Sequence, residues 1–368
     1  MANEIATLQT IARQALPRLI DNLVFPMLVY RDFTEASAGQ GDTIQVRRPV
    51  TLQAREFDQQ NGVDYEALTE PTVPVVLDKL VTVDAAATAV ETAVNIDDLN
   101  RAFVEPAVAA LAQKINADGM KLYSEVANAV NASAHDLAAL AAVRRALNEA
   151  HVPTGGRVAV WDPAADAAFA TLPAIVNAEK SGSSEALREG AIGRVFGMDN
   201  YMSQAVVSHA TGITAATAVK VNGAVTAGAT KLSIDGTTLT GKLVKGDILT
   251  VGGRSFVVTE DSASASSNAI ANVKVWPALP QIADNADVTL AGSHTANLAF
   301  HPMAFAYVTR PLYNPDGEGV ASYVTSFNGV SLRVTRGYDQ KYKKSVYSMD
   351  VLYGYKAIYP ELAVRAMG

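Results

Sequence analysis

The chain has 368 residues, a formal net charge of −7, five histidines and no cysteine. Without cysteine there can be no disulfide framework, thiolate metal site, iron–sulfur cluster or cysteine nucleophile. The length suggests two or three structural units, enough to bury a core without staples, and the acidic balance argues against a chain that wraps nucleic acid over most of its surface.

Over residues 1–30, Ile5, Leu8, Ile11, Ala12, Ala15, Leu16 and Leu19 recur at helical spacing, and Pro17 should kink or end the helix. Two readings stand side by side: a first helix packed on its own core, or an arm lying on a neighbouring subunit. The start lacks a basic segment followed by an apolar run, so no secretory signal is expected. No apolar run approaches the ~18 residues of a membrane span.

Residues 36–90 read as a long two-stranded excursion. TIQVR at 43–47 alternates polar and apolar, and 73–83 is a second β-rich run. Between them lies the polar segment QAREFDQQNGVDYEALTE, in which Asn61-Gly62 is a tight-turn signal. Pro49, Pro71 and Pro74 fit an edge or protruding hairpin better than a central strand.

The spacing predicts one long helix over 96–130, capped by Asp97 or Asp98, bent near Pro106 and Gly119, and reaching ~50 Å. Residues 133–211 look α/β: a helix from Ser133 to Ala146, a strand at 157–161, then Asp162-Pro163 as N-cap and first helical residue. Residues 212–296 change character. Six Lys/Arg balance six Asp/Glu, and short alternating runs are punctuated by Gly, Asp and Asn. This predicts a small all-β unit, with Phe256 and Trp276 as its aromatic anchors. Residues 318–368 are strand-rich and hold seven of the 13 Tyr, with seven Lys/Arg against four acids.

Catalytic and cofactor signatures are weak. GTTLTGK at 236–242 fits the opening of a phosphate-binding loop, but Leu243 stands where Ser or Thr should bind magnesium, and a strand-like run follows instead of a helix. The histidines form no metal-ligand spacing with one another, and no G-x-S-x-G or G-x-G-x-x-G element occurs. No catalytic residue, cofactor or metal is expected.

The order of elements is then specific: helical arm, long hairpin, very long helix, α/β region, small β unit and β-rich finish. The phrases GRVFGMDNYMS (193–203), NLAFHPMAFAYVTRPL (297–312), VKGDILTVG (244–252) and the strand run 347–359 sit in that order. Together they resemble the major capsid proteins of tailed phages, which share the Hong Kong 97-type fold, and the β unit is similar to that of the short-tailed Salmonella phage branch. The resemblance implies an α+β capsid fold with an N-terminal arm at 1–35, an E-loop hairpin at 36–90, a P-domain with its spine helix at 91–132 and 318–368, an A-domain at 133–211 and 297–317, and an inserted β-domain at 212–296.

It further implies a non-enzymatic homo-oligomer, located in the virion and made in the bacterial host cytoplasm. The shell would be built of hexamers and pentamers around double-stranded DNA, which it would touch only non-specifically. A scaffolding protein and a portal would be partners, a decoration protein a further one, and a membrane none. Contacts between subunits would use the E-loop residues Arg47, Arg48, Arg55, Glu56, Asp58, Asp64 and Glu66, the arm residues Ile5, Leu8, Ile11 and Leu16, and a basic P-domain face of Arg333, Arg336, Lys341, Lys343 and Lys344. The competing reading is an enzyme or ligand-binding protein with a carbohydrate-binding-like β unit and a polar pocket near Trp161, His151 or His209.

Overall fold

A computed structural model describes residues 3–31, 42–47, 72–88, 104–177, 188–317, 319–342 and 344–368. The chain divides into two compact units. The first comprises residues 1–18, 31–107 and 306–358; the second comprises 19–30, 108–305 and 359–368.

In the first unit, strands Thr43–Arg47 and Thr72–Val76 pair antiparallel as a two-stranded sheet, Thr43 opposite Val76. Both strands are edges, so Pro74 is accommodated opposite Gln45. The β-rich run after residue 72 is not continuous, as the sequence suggested, but breaks at Leu77 and Asp78. At the break the Val76 carbonyl lies where a side chain on residue 354 would sit, which requires Gly354. The chain resumes as Lys79–Thr88 and joins a five-stranded sheet with Phe305–Thr309, Ala321–Phe327, Val330–Asp339 and Lys344–Ala357. Asn328 and Gly329 both have positive φ in the two-residue turn that joins Ala321–Phe327 to Val330–Asp339.

The long helix ends earlier than its periodicity suggested. Its described part includes Glu105–Met120 and tightens into a 3-10 turn, Lys121–Glu125. The chain is then extended and forms the short strand Ala129–Asn131. Pro106 is the second residue of the segment Glu105–Met120. The proposed caps Asp97 and Asp98 lie outside the described residues. From within the helix, the Asn116 side-chain oxygen accepts from the Val24 and Phe25 amides, and its nitrogen donates to the Asn22 carbonyl. That caps the short helix Phe25–Leu28.

In the second unit a seven-stranded sheet runs in the order Ala129–Asn131, Ala363–Met367, His294–Phe300, Val158–Trp161, Met198–Met202 and Arg194–Val195, with Ser208–His209 added on His294–Phe300. The closing strand Ala363–Met367, grouped by the sequence reading with 318–357, therefore lies in the α/β sheet. Helix Leu137–Glu149 is capped by Asp136, not opened by Ser133: the Asp136 carboxylate accepts from the Ala139 amide at 2.7 Å. Asp162 caps Pro163–Ala170 as its sequence position suggests. These helices and the sheet enclose Trp161, Phe169, Leu140, Val143, Met198, Ala299 and Val364.

Residues 213–290 form a six-stranded sheet and a two-stranded one. The phosphate-loop-like segment is the strand Thr238–Gly241, paired with Ile213–Thr217, and the next element is the strand Ile248–Val251. Phe256 lies in the core of these strands with Val221, Ile234, Leu249 and Ile270. Trp276 does not share that core. It pairs across the sheet with Val257, whose side chain faces opposite to Phe256 because successive residues alternate, and joins a separate cluster with Ala127 and Ile248.

Candidate contact surfaces and a buried polar knot

Of the expected hairpin contacts, Arg48, Arg55, Glu56, Asp58, Asp64 and Glu66 lie outside the described residues. Arg47 ends the strand Thr43–Arg47, with its backbone opposite Thr72 and its side chain outside the described set. Ile5 and Leu8 belong to the helix Asn3–Asn22, but their side chains are likewise not described. Ile11 and Leu16 are buried within the protein's own packing, 2% and 3% exposed.

The expected basic face is not one face. Lys343 lies outside the described residues, and Arg333 and Arg336 are three apart on one strand, so they point to opposite sides of the sheet. Arg333 donates from Nε and Nη2 to the cross-strand Asp350 carboxylate at 2.8 and 2.6 Å, and from Nη1 to the Tyr313 carbonyl. Ser348 donates to the other Asp350 oxygen. Arg336 stacks over Tyr347 on the opposite face. Lys341 lies 5.0 Å from the Tyr342 ring centre at the exposed hairpin end, and Lys344 opens the next strand, opposite Asp339. Asp350→Ala would strand a half-buried guanidinium and is expected to cost about 2 kcal/mol in chemical denaturation. Asp350→Asn should recover part of that loss, because it keeps an acceptor.

The most developed cluster was not legible locally. Arg365, fully buried, projects from the closing strand. Its Nη1 donates to the Gly246 carbonyl at 2.7 Å, and its Nη2 to the carbonyls of Tyr123 at 3.0 Å and Val126 at 3.3 Å. The guanidinium stacks 4.9 Å from the Tyr123 ring centre, and burial pulls its pKa down to about 10. His294 Nε2 lies 3.4 Å from Nη1.

Beside it a chain of three groups runs Tyr123 Oη to His209 Nδ1 (3.1 Å) and His209 Nε2 to Asp247 Oδ1 (2.8 Å). The second Asp247 oxygen accepts from the Val244 amide at 2.7 Å. Gly246 has φ +97°, and an added Cβ would lie 3.1 Å from Ser124 Cβ, so this turn can approach the helix end only with glycine. The knot therefore ties five segments of the second unit: the turn 244–247, the 3-10 turn, the two paired strands carrying His209 and His294, and the closing strand. Its one sequence clue is a lone Arg within the apolar run 362–367.

The chemistry this arrangement supports is structural. His209 and Asp247 are 4% and 2% exposed, so no substrate reaches them. Trp161 is also buried, its Nε1–H donating to Asn200. The polar pocket of the competing reading is thus not formed at Trp161 or His209, while His151 is exposed. A surface groove of about 690 Å³ does occur between Val130, Arg145, Glu149, Arg254 and Pro277, and neither Trp161, His209 nor His151 lines it. Among the described residues, no group of three or more His, Asp or Glu could hold a metal ion, and no helix is long and apolar enough to cross a membrane.

No protein-family model and no curated protein sequence matches the chain. Solved structures do. One from Mycobacterium phage Che8 is 18% identical with a TM-score of 0.51, covering 94% of this chain and 90% of that one. The capsid structure of the cyanophage P-SCSP1u is 11% identical with a TM-score of 0.47, covering 90% and 84%. The mature capsid of bacteriophage PhiM1 is 11% identical with a TM-score of 0.43, covering 92% and 89%. The mixed α+β chain described above accordingly shares the fold of the Mycobacterium phage Che8 structure over nearly its whole length.

Proposed function

We propose that this chain is a coat subunit that assembles with copies of itself into the icosahedral shell of a tailed phage, as hexamers and pentamers around double-stranded DNA. The observation that carries the reading is the near full-length fold match to the Mycobacterium phage Che8 structure. The Hong Kong 97-type resemblance of the sequence supports it independently. In this reading the protein is a virion component without catalytic function, made in the bacterial host cytoplasm. Residues 36–90 are the E-loop, whose acidic tip reaches a neighbour's basic residues such as Lys341 and Lys344. Residues 105–120 supply the spine helix, and 212–296 form the inserted domain. A scaffolding protein and a portal guide assembly, and packaged DNA meets the inner surface non-specifically.

Closure of a shell multiplies contacts that are weak one by one, so modest interfaces suffice. Charged pairs at such contacts set register and partner choice more than affinity. The test is the assembly state of the full chain, expressed alone and with a scaffolding protein, by sedimentation and electron microscopy. Shells, capsomers or tubes are expected, and deletion of residues 55–66 should abolish them while leaving the thermal unfolding transition in place. A compact monomer under all conditions would overturn the reading.

A further inference from the structure

His209 and His294 face each other on paired strands, ring centres 5.3 Å apart, yet their partners fix different tautomers. His294 Nδ1 lies 2.7 Å from the Gly292 carbonyl, which can only accept, so Nδ1 carries the hydrogen. Its Nε2 is then an acceptor aimed at Arg365 Nη1. His209 Nε2 faces the Asp247 carboxylate and carries the hydrogen, so its Nδ1 accepts from the Tyr123 hydroxyl.

A second proton on His294 points an N–H at a guanidinium, which has no lone pair, and places two cations together.

We propose that His294 is the acid-release point of a latch by which Arg365 fastens the turn 244–247 to the closing strand and the helix end. Neutral His294 holds Nη1 in place. Protonated His294 drives the guanidinium off and leaves the Gly246 carbonyl without its donor. The groups facing His294 are Arg365 on the closing strand, His209 on the paired strand, Asp247 on the turn and Tyr123 at the helix end. The Lys245–Glu125 ion pair bridges the same turn and helix end at the surface.

Burial, helped by Arg365 and His209, lowers the His294 pKa from its ordinary 6.5, against the opposing pull of the Gly292 carbonyl and Asp247. The unfolded chain therefore binds this proton at a higher pH than the native one. The stability at stake is complete above the ordinary value and is lost as pH falls below it.

The experiment is amide hydrogen exchange by mass spectrometry on the full chain at about pH 7.5 and about pH 5.5, corrected for intrinsic rates. The reporters are the Gly246 amide, bonded to the Val258 carbonyl, and the Val258 amide, bonded to the Asp247 carbonyl. Wild type should exchange faster at the lower pH, by up to about tenfold, the ceiling for a pH one unit below the ordinary imidazole value. His294→Gln keeps an acceptor but cannot titrate, and should lose that response. An unresponsive wild type, or a His294→Gln protein that responds equally, overturns the latch. Should the variant fail to fold, exchange of the His294 ring C2 hydrogen in wild type reads its titration directly. A midpoint below 6.5 that coincides with the amide opening supports the latch. A midpoint at or above 6.5, or amides that open before His294 titrates, overturns it.

Discussion

Replacing Arg365 with Met is expected to lower the unfolding free energy by about 3 kcal/mol, read as a shift in denaturant midpoint at unchanged slope. Met fills much of the stem volume, so the loss is chemical. The carbonyls of Gly246 and Val126 lose this donor at once, while that of Tyr123 keeps the Val126 amide. Each buried unpartnered acceptor costs about 1–3 kcal/mol, and relaxation keeps the total below the sum. One term runs the other way. Arg365 Nε has no partner among the described residues, so the guanidinium is itself expensive to keep buried, and its removal returns part of the loss. Arg365→Lys should be nearly as damaging, because one compact ammonium cannot reach carbonyls spread around a planar fork. A midpoint unchanged in both variants would show that the knot ties nothing.

Trp161→Ala is expected to cost about 4 kcal/mol in the same measurement. Trp161 is 1% exposed, packs edge-on against Phe169 at 4.9 Å between ring centres, and sits in the central layer between the sheet and its helices. Removing the indole empties the largest fully buried side-chain volume of the chain's described residues. It also removes the donor to Asn200 Oδ1. Trp161→Phe restores most of the volume but not the N–H, so less than half the loss should remain. Because Asn200 still donates to the Gly193 and Met198 carbonyls, the strand Met198–Met202 should keep its place in Trp161→Phe. Equal losses in the two variants would mean that the hydrogen bond, not the packing, dominates.

Much of the local structure was readable from local chemistry. Asp162-Pro163 announces a helix start because an Asp oxygen and a Pro at the first position satisfy the geometry of that end by themselves. The alternating runs of 231–276 become strands because side chains on a pleated ribbon alternate between faces. Errors occurred where a distant partner decided. Periodicity carried the long helix to residue 130, but residues 129–131 are taken as a strand by the closing strand, more than 230 residues away in sequence. The resemblance implied one basic face, but strand register splits Arg333 from Arg336 and gives the first to Asp350.

The sequence by itself determined the elements: which segments are helical or extended, where several begin, that cysteine chemistry is absent, and the order that resembles a phage coat fold. Tertiary structure alone decided which charges are spent internally and which buried polar groups meet. Tyr123, His209, Asp247, His294 and Arg365 span more than 240 positions and carry no mutual spacing. They converge because strand pairing is set by cooperative burial over whole sheets, and no local window of residues encodes that.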